Sequence, residues 1–169
     1  MKPMTKEFLS AAFAGESQAH MRYAIYAEEA AKKGMVNLAN LFTAISHAEF
    51  VHAKGHFIAM KNLGDAPTNL QHALEGETFE VQEMYPVYHE TAKFQGEKDA
   101  ERTTRYAMEA EKIHMKMYQK ALELAKSGKD YPATKLAICE VCGHTVEGDA
   151  PEKCPTCGVK KEMFKYFNA

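Results

Sequence analysis

Over the first 126 residues, apolar and small residues recur at three- and four-residue spacing, and no stretch alternates as a strand would. In the segment Thr5 to Lys33, Leu9, Ala12, Phe13, Glu16, Ala19, Tyr23, Tyr26 and Ala30 share one helical face. Thr5 is its expected N-cap and Gly34 its terminator. A second segment, Val36 to Asn62, presents Leu38, Phe42, Ile45, Glu49, His52, His56 and Met60, with Gly64 after it. A third runs from Asn69 to Gln95 and ends at Gly96. A fourth, Glu97 to Lys126 before Gly128, presents Thr104, Ala107, Glu111, His114, Tyr118 and Leu122. Four amphipathic segments joined by short links predict an all-α four-helix bundle.

The remainder is built differently. All four cysteines fall between Cys139 and Cys157, among glycines and prolines. Ser127-Gly128-Lys129-Asp130-Tyr131-Pro132 reads as a helix stop followed by a linker. The expected division is a bundle over 1–128, a linker over 129–135 and a small module over 136–169. With 21 basic and 23 acidic residues, a nucleic-acid surface is not expected. No apolar run is long enough to span a membrane, and the N-terminus shows no signal-peptide pattern, so the expected location is cytoplasmic. There is no G-x-G-x-x-G or Walker loop, so a nucleotide would be handled by another protein.

The apolar stripes contain carboxylates. An ionised Glu taken out of water loses several kcal/mol unless something compensates it. Glu49-x-x-His52 and Glu111-x-x-His114 each place both side chains on one helical face. With nineteen Glu and eight His in the chain, about one such pair arises by chance. An internal repeat changes that estimate. Glu49 to Glu111, His52 to His114, Gly34 to Gly96 and Tyr23 to Tyr85 are each 62 residues apart. Gly15-Glu16 returns as Gly76-Glu77 at 61. The chain thus reads as two copies of one helical hairpin, with a Glu on the first helix and E-x-x-H on the second. Glu16, Glu49, His52, Glu77, Glu111 and His114 are the ligand set of a di-iron or di-manganese carboxylate bundle. The second copy gains one residue between Glu77 and Tyr85, followed at once by Pro86, which predicts a π-bulge or kink there. It also carries Glu80, a candidate seventh ligand.

Cys139-x-x-Cys142-Gly143 and Cys154-x-x-Cys157-Gly158 form a four-thiolate metal signature. The glycines let backbone N–H groups turn toward the sulfurs. Thiolate tetrahedra hold zinc or iron, so the sequence leaves the metal open. Phe164, Tyr166 and Phe167 are expected to complete the small core.

In this order of parts the chain resembles the rubrerythrin family: a ferritin-like di-iron bundle followed by a rubredoxin-like module. The resemblance implies two irons in the bundle and one in the four-cysteine site, with zinc as a substitute there. It implies a non-haem peroxidase that reduces hydrogen peroxide to water in oxidative-stress defence. Electrons would come from NAD(P)H through a separate reductase, or from a rubredoxin, by way of the thiolate-bound iron. Glu49 and Glu111 would bridge the metals, Glu16 would bind one, and Glu77 and His114 the other. His52 and Glu80 would exchange as ligands when the redox state changes. Tyr23 and Tyr85 match tyrosines that hydrogen-bond ligand carboxylates. Ile138 and His144 stand where rubredoxins usually carry aromatics, which bears on the reduction potential. A ferritin-like iron oxidase or iron-binding protein is the alternative, and a helical scaffold with a zinc ribbon is a third. His20 and His56 are expected to line the bundle or reach solvent, and His47, His72, His89 and His144 to lie at the surface.

Chain reach carries an expectation about assembly. In a ferritin-like bundle the second and third segments run parallel, so their link must travel the bundle's length. The second segment is ~40 Å long. The six residues Leu63 to Thr68 span at most ~20–25 Å. The expectation is a domain-swapped homodimer, each hairpin packing on the other hairpin of a second chain.

Overall fold

The computed structural model describes residues 1–168. They form two compact units, Met1–Gly64 and the chain from Asp65 onward.

The first unit is a helical hairpin of α1 (Pro3–Lys32) and α2 (Val36–Ala59). Helix α1 starts three residues earlier than an N-cap at Thr5 would give, because Pro3 sits in the first turn, where its fixed φ suits a helix and its missing N–H costs nothing. Gly34 closes α1 at φ +73°, as expected. The predicted stop at Gly64 is displaced: Lys61 takes the left-handed position at φ 58°, and its N–H bonds the Ile58 carbonyl at 2.9 Å. The buried residues are small ones, Ala19, Ala27 and Ala30 on α1 and Ala39, Ser46 and Ala53 on α2, joined by Met60. Small residues let the two backbones approach. His20 fastens this seam, since Ser46 Oγ donates to the His20 carbonyl at 2.9 Å and His20 Nδ1 lies 2.9 Å from the Ser46 carbonyl.

The second unit opens with α3 (Ala66–Phe79), capped by Asp65, whose carboxylate accepts from Thr68 N at 2.9 Å. A five-residue π-turn, Glu80–Met84, follows, then α4 (Tyr85–Gln95) and α5 (Lys98–Lys126). The π-turn lies where the repeat gains a residue. Pro86 supplies no N–H, and the wider turn ahead of it absorbs both the extra residue and the missing donor. His89 of α4 is half-buried against α5, its Nδ1 3.2 Å from the Glu101 carbonyl, and so is not the surface residue expected.

After α5 come β1 (Lys135–Cys139), β2 (Thr145–Glu147) and β3 (Phe164–Asn168), an antiparallel sheet ordered β2-β1-β3. Its core is Ala137, Cys139, Cys142, Ala150, Cys154 and Phe164, with Tyr166 at the margin. Phe167 is exposed, contrary to expectation, because strand alternation turns it away from Phe164 and Tyr166. Tyr106 of α5 packs into this core, so the module is seated on that helix.

Candidate metal centres

In the first unit Glu16 comes from α1 and Glu49 and His52 from α2, and one ligand atom of each lies within 4.8 Å of the others. His52 Nδ1 is 3.1 Å from Glu49 Oε2, and the imidazole is exposed. Tyr23 packs on Tyr26 and Phe42, with ring centroids 6.2 and 6.3 Å away.

In the second unit Glu77 of α3 meets Glu111 and His114 of α5 within the same 4.8 Å limit. His114 Nδ1 lies 2.6 Å from Glu111 Oε2 and 4.0 Å from Glu77 Oε2. The 62-residue repeat therefore yields two three-residue sets of identical composition. Glu77 Oε2 is buried and has no hydrogen-bond partner among the described residues. Burial, then the Glu111 and Glu80 carboxylates, push the Glu77 carboxyl up from 4.5 to about 8. Such crowding of acid groups calls for a cation. Glu80 opens the π-turn outside the 4.8 Å set, yet burial and the Glu111 charge raise its carboxyl too.

Two tyrosines face this set. Burial and the charges of Glu80, Glu111 and Glu77 raise the Tyr85 phenol. Tyr118 is raised by burial and by Glu77 and Glu111. Sequence reasoning counted Tyr118 only as a face residue; its position four residues beyond His114 was the available signal.

In the module, Cys139 Sγ and Cys157 Sγ are 3.6 Å apart, and Cys142 Sγ and Cys154 Sγ 3.5 Å. All four sulfurs fall within 4.8 Å of one another. A disulfide would need ~2.05 Å. A tetrahedron of ~2.3 Å metal–sulfur bonds has edges near 3.8 Å, which these distances fit. Gly143 at φ +76° and Gly158 at φ +78° close the knuckles, donating to the Cys139 and Cys154 carbonyls at 2.9 Å. Backbone N–H groups do turn onto sulfur. Burial opposes ionisation of Cys154, but the N–H groups of Cys157 and Thr156 outweigh it and bring its thiol to about 7. Burial pushes the Cys142 thiol up, while the His144 N–H pulls the other way. His144 is half-buried, with Nδ1 3.1 Å from Thr156 Oγ1, and so bridges the two knuckles instead of lying at the surface.

The module and the second acidic set share α5. A Cβ placed on Gly143 would lie 3.5 Å from Ala110 Cβ, and Glu111 is the next residue. Lys120 reaches Glu147 at 2.9 Å, and the Tyr131 hydroxyl of the linker donates to the same carboxylate. Thr145 Oγ1, which sequence reasoning missed, is 2.8 Å from His114 Nε2.

Two family models match the chain. Rubrerythrin covers residues 7–122, and the rubrerythrin rubredoxin-like domain covers 138–165. Rubrerythrin-2 of Clostridium acetobutylicum is 48% identical over 97% of this chain and 97% of its own length. Nigerythrin of Nitratidesulfovibrio vulgaris is 30% identical over 96% of this chain and 86% of its own. Two nigerythrin structures, partially reduced and fully reduced (all ferrous), each superpose with a TM-score of 0.56 at 29% identity, covering 96% of this chain and 86% of nigerythrin. The four-cysteine site is thus that of a rubredoxin-like iron domain, and the carboxylate–imidazole sets suit a di-iron centre. With its helical part and its cysteine module both matched in order, this chain belongs to the rubrerythrin family.

Proposed function

We propose that this protein is a cytoplasmic non-haem di-iron peroxidase that reduces hydrogen peroxide to two waters, taking up two electrons and two protons. The rubrerythrin family is known for di-iron peroxidase activity. The observation that carries the reading for this chain is the sharing of α5: Tyr106 and Ala110 pack on the cysteine module while Glu111 and His114 face the acidic set. A protein that only stored iron would have no use for an electron entry point built onto the same helix. The division proposed is a bundle over 1–128, a linker over 129–135 and the module over 136–169. An NAD(P)H-dependent reductase or a rubredoxin would supply the electrons as oxidative-stress defence requires.

Glu16, Glu49, His52, Glu77, Glu111 and His114 would hold the two bundle irons, and the four cysteines the third. When bound, the iron pair supplies the two electrons that cleave the O–O bond. The protein's part is electrostatic and positional. The Glu77 and Glu111 carboxylates, crowded in a partly buried site, favour a higher metal charge. Glu80, held near the set by the π-turn, would provide a further carboxylate, and His52 would exchange with it as a ligand. Tyr23, Tyr85 and Tyr118 would hold ligand carboxylates or pass protons through their hydroxyls.

We infer further that two chains complete each site. The link between α2 and α3, Met60 to Asp65, spans at most ~20–25 Å, against ~36 Å for the 24 residues of α2. Phe8, Ile25, Leu41, Phe50 and Val87 stand exposed in a single chain, apolar surface that a second chain would cover.

Metal analysis with a visible spectrum, together with NADH-driven peroxide turnover, tests the proposal. Expected are about three irons per chain, thiolate-to-iron absorption, and turnover that depends on a reductase. Zinc in the module together with a bundle that takes up no iron would overturn it.

A further inference from the structure

Both ring nitrogens of His114 are engaged. Nδ1 faces the carboxylates of Glu111 and Glu77. Nε2 lies 2.8 Å from Thr145 Oγ1. Thr145 is only 6% exposed, and its hydroxyl donates its single hydrogen to the Gly143 carbonyl at 3.0 Å. Its oxygen then accepts from the imidazole, so Nε2 carries a proton, and Nδ1, 2.6 Å from a carboxylate oxygen, is the position at which a metal would replace a proton. Gly143 is itself pinned, being the left-handed residue after Cys142 and lying against Ala110. The repeat-related His52 is placed differently: its side chain is 56% exposed, against 28% for His114.

We propose that Thr145 is a positioning residue for the metal centre: its hydroxyl locks His114 with Nε2 protonated and Nδ1 presented to the metal, and anchors that lock on the first cysteine knuckle. Metal-bound imidazoles commonly donate their second N–H to a fixed acceptor, which sets the tautomer and ring orientation. Here the acceptor is a hydroxyl of the other metal module. This rests on His114 being a metal ligand. The Thr145 hydroxyl holds the His114 ring from behind.

The test uses the full chain with zinc in every site, which is diamagnetic and accepts both donor sets. Histidine ¹⁵N spectra should show Nδ1 of His114 bound to metal and a slowly exchanging proton on Nε2. T145V should lose the protection of that proton and bind zinc in the bundle about 10–100-fold more weakly in a chelator competition. T145S, which keeps the hydroxyl, should restore both. The thiolate-to-iron band of the iron-loaded variants reports whether the module is folded. A His114 ring that shows no metal shift at all would refute its ligand role. A metal-bound Nδ1 with proton exchange and affinity unchanged in T145V would refute the positioning role alone. Should T145V fail to form the thiolate site, the wild-type spectrum decides: a proton on Nδ1, or metal on Nε2, overturns the proposal.

Discussion

Glu77 and Glu111, from α3 and α5, bring two carboxyl groups to one partly buried point, and Oε2 of Glu77 has no hydrogen-bond partner there among the described residues. Burial and the facing carboxylate hold Glu77 at about 8, above its ordinary 4.5. The folded chain without bundle metal therefore holds this proton more tightly than the unfolded chain does. Its stability is full below about pH 4.5 and falls as the pH rises through about 8, where folding must leave a carboxylate uncompensated. Thermal melts of protein stripped of bundle metal should show the melting temperature dropping between pH 5 and 8.5. Metal-loaded protein should not show this drop, and E77Q should flatten it in the stripped form. An unchanged slope in E77Q would place the proton elsewhere.

Electron entry is separable from peroxide chemistry because the thiolate and carboxylate sites share no ligand. The double replacement C142S/C157S should abolish turnover driven by NAD(P)H and a reductase. It should leave one oxidation of the chemically reduced bundle by a single charge of peroxide, seen in a stopped-flow absorbance trace. Sustained reductase-driven turnover without the thiolate-bound iron would make the module a structural staple.

The residue groups that could hold metal were legible in the sequence because their signals are local. Glu49 with His52, Glu111 with His114 and the two cysteine knuckles are fixed-spacing motifs, and the 62-residue repeat multiplied their weight. The π-turn was legible for the same reason, as one extra residue before Pro86. The packing was not. Three- and four-residue spacing placed Tyr26, Leu38 and Ile45 on the apolar helical faces, yet all three are exposed in the single chain. The hairpin closes instead through Ala39, Ser46, Ala53 and Met60, a seven-residue rhythm of mostly small side chains that carries little hydropathy signal. Thr145 and His144 were illegible because their partners, His114 and Thr156, are set by how the module folds and docks.

Glu80 offers a carboxylate close to the acidic set without belonging to it. E80A should keep both bundle irons, since the six other ligands remain. Oxidation of the reduced site by peroxide should slow by at least about tenfold, because the more highly charged metal has lost a hard ligand. Iron content and single-turnover rate measured on the same sample separate the two effects. Iron loss as severe as in E111A would show that Glu80 is an ordinary ligand, needed in every redox state.

The strongest test of assembly uses two inactive chains. E49A damages only the α1–α2 hairpin, and E111A only the α3–α5 part. If each bundle closed within one chain, every site in a mixture would contain a damaged half, and mixing would restore nothing. If hairpins are exchanged, one of the two sites in a mixed dimer unites the intact α1–α2 hairpin of the E111A chain with the intact α3–α5 part of the E49A chain. The other site receives both lesions. Unfolding and refolding an equal mixture pairs chains at random, so half the dimers are mixed and half of their sites are whole. Activity should recover to about a quarter of wild type. Mixing without unfolding should recover much less, because exchange requires the partner to leave. Differently tagged chains allow the mixed dimers to be purified, and these should show about half of wild-type activity per iron-binding chain. Purified mixed dimers with no activity would mean that the short Met60 to Asp65 link nevertheless returns within its own chain, with fraying at the ends of α2 and α3 supplying the missing reach.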